Sequence, residues 1–306
     1  MLELIKKPSV NFISKRYYAF GFSGLLVVLG IIAFITIVSG GGKLGIDFSG
    51  GTMIQGNFEQ AVSTADLRSA MSRNGYGDAE IQNLQREIPN SFLIRVKGTA
   101  ETGSQVANQL IAVLEKEFPN NKFKTDSVDE VGPAVGQTLQ SKARLAVFIS
   151  LIGILLYIWV RFDFRFGVAA TVATFHDVLA VLGIFFILQK EITLLVITAL
   201  LTLAGYSLTD TVVVFDRIRE NLKLFRKRGD FPTLINASIN EVLSRTIITS
   251  TTVFLVVTVL FFLGGEVVHD FALALMLGVI IGTYSSIFVA SPIMVEWENR
   301  VPKRFK

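Results

Sequence analysis

Hydrophobic and polar positions fall into two regimes along the chain. Long stretches almost without charge lie at 17–39, 143–160, 166–188, 192–215, 245–264 and 270–294, and a stretch of ordinary mixed composition at 40–142 separates the first two. A bilayer core of roughly 30 Å needs about 20 mostly apolar helical residues. The pattern therefore predicts six transmembrane helices. The first follows Lys6, Lys7, Lys15 and Arg16, as a signal peptide would. Its apolar run exceeds that of a signal sequence and no small-residue cleavage site follows Gly40-Gly41-Gly42, so it is read as an uncleaved anchor.

Within 40–142 the periodicity changes. An extended stretch is expected at 45–58 and a helix at 63–73, where Ser63 and Asp66 form an N-cap pair. Two strands, 79–86 and 91–96, flank a turn at Pro89-Asn90. A helix at 104–118 carries Val106, Leu110, Val113 and Leu114 on one face, and a last strand covers 123–131. The order β-α-β-β-α-β predicts a ferredoxin-like α+β domain. This fold hosts many functions and names none. Gly50-Gly51 has the look of a phosphate loop, but no Lys-Ser/Thr pair or helix follows. A tight turn with close backbone packing is the favoured reading.

Composition agrees with a membrane chain: 51% of the 306 residues are hydrophobic and 18% are charged. Cysteine is absent, which removes disulfides, thiolate metal sites and a Cys nucleophile. A net charge of +4 raises nucleic acid as a partner, and the placement of the charge argues against it. Most of the 29 basic residues sit in the tail 1–16, at Arg161 and Arg165, in the loop 216–244 with Arg245, and in the tail 295–306. The short loops opposite hold Lys190 alone and an acidic turn. By the positive-inside rule both termini and the loop 216–244 are cytoplasmic, and 40–142 is extracytoplasmic. That domain has twelve acidic and nine basic residues across 43–140, the balance of a soluble unit.

Ionisable groups at membrane depth are costly and usually face a bundle interior or water. Asp210 lies two turns before Arg217, roughly 10 Å inside the basic boundary at 1.5 Å per residue. Arg245 opens the fifth span from the same side, and a hairpin joins their helices. Nearby positive charge favours an ionised carboxylate and burial opposes it, so a small movement tips the balance. Arg, always charged, would be the fixed partner. The bland alternatives are a static ion pair for Asp210 and snorkelling for Arg245. His176-Asp177 in the third span is a second pair, with Asp177 facing inward and His176 a relay or a plain hydrogen-bonded group. Neighbours on a helix diverge by about 100°, so the two do not face one partner helix squarely. His269-Asp270 is expected to be solvated. Ser244, Thr246, Thr249, Ser250, Thr251 and Thr252, with Gly278, Gly282, Ser285 and Ser286, suit close helix packing or a hydrated path. No nucleophile–base pair, cofactor loop or metal cluster is apparent, which disfavours an enzyme.

One span, a large outer domain and then five spans is half of the resistance–nodulation–division transporter plan. Local sequence narrows this. Gly45-Ile46-Asp47-Phe48-Ser49-Gly50-Gly51-Thr52, Phe175-His176-Asp177, Ser244-Arg245-Thr246, Gly282-Thr283-Tyr284-Ser285-Ser286 and above all 205–221, with Asp210 inside it, resemble the SecD/SecF protein-export family over nearly the whole chain. The resemblance implies a multi-pass protein of the bacterial inner membrane, pseudo-symmetric with SecD. It also implies association with SecYEG and SecA, with YajC and YidC as further candidates. The substrates would be a translocating polypeptide and protons. In that picture Asp210, Arg245, Asp177 and His176 are the proton-pathway candidates, and the proton gradient assists late translocation on the outer side. A non-coupling scaffold and half of a small-molecule pump are the alternatives.

Overall fold

In a computed structural model of the chain, residues 9–84, 89–97, 103–224 and 230–301 are described. The chain divides into two compact units, one of residues 44–145 and one formed by 1–43 with 146–306.

In the first unit a helical turn, α2 (Ile46–Ser49), precedes β1 (Gly51–Phe58), followed by α3 (Thr64–Arg73), β2 (Glu80–Asn83), β3 (Ser91–Lys97), α4 (Gly103–Glu117) and β4 (Phe123–Val131). The sheet order is β2-β3-β1-β4, antiparallel throughout. This is the split β-α-β arrangement expected of the ferredoxin-like plan. One face of the sheet buries Ile54, Phe92 and Ile94 under Leu67 and Met71 of α3 and Leu110 and Leu114 of α4. Ser63 caps α3, accepting the Asp66 N–H at 3.0 Å and removing one of the four unpaired donors at the helix start. Two expectations need correction. The stretch 45–58 is not extended throughout: 46–49 coil, and the turn that follows has Gly50 at φ +69°. A Cβ there would lie 3.1 Å from Pro133 Cα and 3.3 Å from the Val131 carbonyl oxygen. The di-glycine is thus a turn against backbone. The second strand is four residues long, and positions 85 and 86 assigned to it lie outside the described residues.

The second unit carries helices long and apolar enough to cross a membrane, six among the described residues when the helix that enters from the first unit is included. They are α1 (Arg16–Val38), α5 (Pro133–Arg161), α6 (Phe164–Ile187), α7 (Leu194–Leu224), α8 (Phe231–Leu263) and a last span built from α9 (Gly265–Ser285), a π-helical turn at Ser286–Ala290 and α10 (Ser291–Arg300). The loop expected at 216–244 is instead mostly helix. α7 and α8 run on for 31 and 33 residues, roughly 46–50 Å at 1.5 Å per residue, well beyond a hydrocarbon core of about 30 Å. Charged residues fill these extensions without breaking helical periodicity, because Ile218, Ile235 and Ile239 still bury a common face. The basic positions 226–228, like those before 9 and after 301, lie outside the described residues.

Ion pairs gather the basic helix ends: Arg16 with Glu296 at 2.7 Å, Arg165 with Glu298 at 2.6 Å, Arg161 with Asp216 at 2.5 Å, and Arg217 with Glu241. Residues 10–13 lie across the base of α8. Asn236 Oδ1 accepts the Phe12 and Ile13 N–H groups at 2.9 and 3.1 Å, and Asn240 exchanges both backbone bonds with Val10 at 3.0 and 2.8 Å.

Candidate functional site

The site is set by how closely three helices approach. Gly278 and Gly282 of α9 face Leu203 and Ser207 of α7; a Cβ on Gly278 would lie 2.5 Å from Leu203 Cδ1, and one on Gly282 3.2 Å from Ser207 Cβ. Without side chains at these two points the α7 and α9 backbones come together. α6 packs against α1, α7 and α9, so more than one of its faces is covered. That is why His176 and Asp177, adjacent and divergent, are both buried, at 3% and 0% exposed.

Asp177 is ringed by donors. His176 Nδ1 lies 2.7 Å from Oδ1, while Ser285 of α9 donates to Oδ2 at 2.7 Å and Ser207 of α7 donates to the same oxygen. The imidazole also lies tilted against the Tyr284 ring, with centroids 6.4 Å apart. One turn beyond Ser207 is Asp210, 6% exposed. Its Oδ2 accepts Ser250 of α8 at 3.3 Å and sits 3.5 Å from Thr283 of α9, and those two hydroxyls are 2.6 Å apart. Tyr206 Oη reaches the same Ser250 at 3.3 Å. The two carboxylates thus share their supporting helices, since α9 supplies Ser285 to one and Thr283 to the other. A hydroxyl both donates and accepts. A hydroxyl shell therefore accommodates a protonated or an ionised carboxylate by rotation of C–O bonds alone.

Arg245 is placed otherwise than expected. It is exposed on α8, and among the described residues it makes no ion pair with Asp210. The reason is angular: Arg245 and Ser250 are five residues apart, about 140° around the helix at 3.6 residues per turn. The helix that offers Ser250 to Asp210 therefore turns Arg245 away, onto the face that exposes Thr249 and Thr252. His269 and Asp270 are not freely solvated. They lie in the second turn of α9, where Asp270 meets Lys190 at 2.7 Å and His269 at 3.1 Å.

Sequence reasoning singles out both carboxylates, Ser250 and Ser285. It passes over Ser207 and Thr283 as site residues. Their signal is present in the spacing: Ser207 is three residues before Asp210, and Thr283 and Ser285 bracket one residue. Which side chain each hydroxyl meets follows only from helix contact. Among the described residues no cluster of three or more metal-ligating side chains occurs.

Residues 111–300 match the family model of the protein export membrane protein SecD/SecF, C-terminal. The chain is 48% identical over 296 residues to the protein translocase subunit SecF of Thermodesulfovibrio yellowstonii, covering 96% of this chain and 97% of the relative. It is 44% identical to the subunit of the same name from Calditerrivibrio nitroreducens, covering 95% of each. Among solved structures, SecDF of Thermus thermophilus, described as a translocon-associated membrane protein, superposes with a TM-score of 0.83 at 38% identity over 96% of this chain. This chain spans 39% of that one.

Proposed function

The chain belongs to the SecD/SecF family of protein-export membrane proteins, and on that premise we propose that it is one half of a proton-coupled export unit. The other half is a SecD subunit of the same plan. Together they use the proton gradient to assist late translocation and release of polypeptides on the outer side of the bacterial inner membrane. Both termini are then cytoplasmic, and SecYEG with SecA delivers the chain, with YajC and YidC as accessory neighbours.

One observation carries this reading. Two carboxylates, Asp177 and Asp210, are buried among membrane-length helices, and among the described residues neither has a Lys or Arg partner. An uncompensated buried charge is far more costly than a paired one. A carboxyl group in such a place is therefore suited to gain and lose a proton as its surroundings move, whereas a static structural role is better served by an ion pair. The two sites share α7 and α9, so any relative shift of those helices alters both at once.

Arg245 supports the partnership. It lies on an exposed face of α8, beside Thr249 and Thr252; at the start of a span, as the sequence pattern has it, an unpaired Arg is unfavourable in lipid. A second six-helix unit against this face would shield it and supply a counter-charge, in keeping with transporters that build their site between repeats.

The test is export in vesicles from cells carrying Asp210→Asn or Arg245→Met. Each variant is expected to abolish the stimulation of export by a proton gradient while the chain still co-purifies with SecD. Full stimulation in both variants refutes proton coupling. Loss of the complex itself would favour the scaffold reading instead.

A further inference from the structure

The ion pairs at the basic end of the helices are not alike. Arg16 pairs with Glu296, Arg165 with Glu298, and Arg217 with both Glu220 and Glu241. Arg161 and Arg219 instead have one acid between them. Asp216 Oδ2 lies 2.5 Å from Arg161 Nη2, and its Oδ1 lies 3.7 Å from Arg219 Nη1. Arginine is always charged, so this group of three carries one positive charge in excess.

Both guanidiniums are held in place. They lie over one ring, that of Phe162, at 5.1 and 5.7 Å from its centroid. Phe162 is itself buried and packs against Phe166 and Phe215. Arg219 Nη1 also donates to the Arg161 carbonyl oxygen at 3.4 Å. A guanidinium has five N–H donors. Among the described residues Arg161 spends one of them, on Asp216, and Arg219 one within bonding distance. Most donors of the pair therefore remain, on side chains 38% and 32% exposed.

The pair stands where a span ends. Arg161 closes α5, Phe162 and Asp163 make the turn, and α6 starts at Phe164. Exposed apolar side chains flank it: Trp159 and Phe164 are 66% and 69% exposed, and Val160 more so. Trp297 of α10 meets the Phe164 ring edge-on at 5.9 Å. Tryptophan beside arginine at the end of an apolar run marks the boundary between hydrocarbon and headgroups. From Arg161 an exposed apolar stripe of Leu156, Ile152, Ile149 and Phe148 runs back along α5. It extends about 20 Å at 1.5 Å per residue, more than one leaflet's share, about 15 Å, of the hydrocarbon core. Of the six spans, α5 is the one covered least by the rest of the chain.

We propose that Arg161 and Arg219 bind the phosphate of an anionic phospholipid, whose acyl chains lie along the exposed stripe of α5. Charge selects the lipid. A zwitterionic headgroup carries its own ammonium and gains little from the site, whereas a headgroup with one net negative charge cancels the excess left by Asp216. Geometry suits the ligand as well, because the planar fork of arginine matches phosphate oxygens two at a time. Basic groups between helices at this boundary are where anionic headgroups dock, and the shared Phe162 ring keeps the two guanidiniums together before the lipid arrives. Such a site is independent of proton coupling.

The chain carries its own probe, since its two tryptophans, Trp159 and Trp297, both flank the site. The full chain is reconstituted in phosphatidylcholine vesicles, and tryptophan quenching is followed as lipid brominated near the headgroup is added, either phosphatidylglycerol or phosphatidylcholine. Half-quenching is expected at about fivefold lower mole fraction of phosphatidylglycerol, equivalent to about 1 kcal/mol for one unit of charge. Arg161→Gln with Arg219→Gln should bring the two curves together. Asp216→Asn, which raises the excess charge to two, should widen the gap by a similar factor, and it decides alone if the double variant does not fold. Equal quenching by the two lipids in the unaltered chain overturns the proposal, whatever else covers the stripe. So does a preference that survives the double glutamine variant or fails to rise in Asp216→Asn. Inorganic phosphate in tenfold excess over the brominated lipid should leave the preference intact; its loss would assign the site to phosphate from solution and overturn the lipid.

Discussion

Gly30 and Gly183 mark the crossing of α1 and α6, and replacing the first with alanine tests what holds the bundle together. A Cβ on Gly30 would overlap the carbonyl oxygen of Leu179 and lie 2.6 Å from its carbonyl carbon and 2.7 Å from its Cβ. A Cβ on Gly183 would lie 2.7 Å from the Gly30 nitrogen. Ordinary carbon–oxygen contacts are about 3.3 Å or more, so α1 and α6 would have to separate by about 1 Å. The obstructing atoms are largely backbone, so no rotamer change relieves them. In lipid, helix association depends on van der Waals contact and hydrogen bonds, not on hydrophobic exclusion. A gap of 0.5–1 Å forfeits about a quarter to a half of each dispersion contact across it. Over an interface of this length, Gly30→Ala should cost about 3 kcal/mol, roughly a hundredfold in the folding constant. A Cβ on Gly21 or Gly24 of the same helix would meet nothing within 4 Å; alanine there should be neutral or slightly stabilising, by up to about 1 kcal/mol. The measurement is reversible unfolding of the chain in bicelles for all three variants. If Gly30→Ala unfolds with Gly24→Ala, the crossing is not the tight contact described.

Three further outcomes are expected. Leu110→Ala, at a fully buried position between α4 and the sheet, should lower the stability of the α+β domain by about 2–5 kcal/mol; a midpoint unchanged in denaturant would contradict that packing. Glu117 is held below the ordinary carboxylate range by hydrogen bonds from Asn74 and Arg73. Its stabilisation is therefore complete above its unfolded value near 4.5 and lost as pH falls through the lowered folded value. Glu117→Gln should flatten that acid limb in a pH series of thermal melts, and parallel curves would exclude the effect. Asn236→Ala with Asn240→Ala removes the side-chain partners of four backbone bonds to residues 10–13. Amide exchange at Val10, Phe12 and Ile13 should quicken by at least about tenfold for each 1.4 kcal/mol lost, and unchanged protection would mean that the strap is held by apolar burial alone.

Much of this protein is legible in the order of its residues. The spans and the alternation of the α+β domain follow from periodicity, because lipid and a sheet each impose a repeat that the chain must match residue by residue. Burial of Asp177 and Asp210 is legible too, since a carboxylate within an apolar run has few other places to go. The helical extensions at 216–224 and 231–244 are hidden because dense charge reads as loop, whereas Ile218, Ile235 and Ile239 keep a helical stripe beneath it.

Partnership was decided by tertiary structure alone. Proximity along the chain and matched depth suggest that Asp210 meets Arg245, yet depth is one coordinate of three. Rotation about α8 sends Ser250 inward and Arg245 outward, and Gly278 and Gly282 bring α9 close enough for Thr283 and Ser285 to reach both carboxylates. A hydrogen bond is short and directional, so which hydroxyl serves which acid depends on helix azimuth and crossing distance, quantities that no single helix carries in its own sequence.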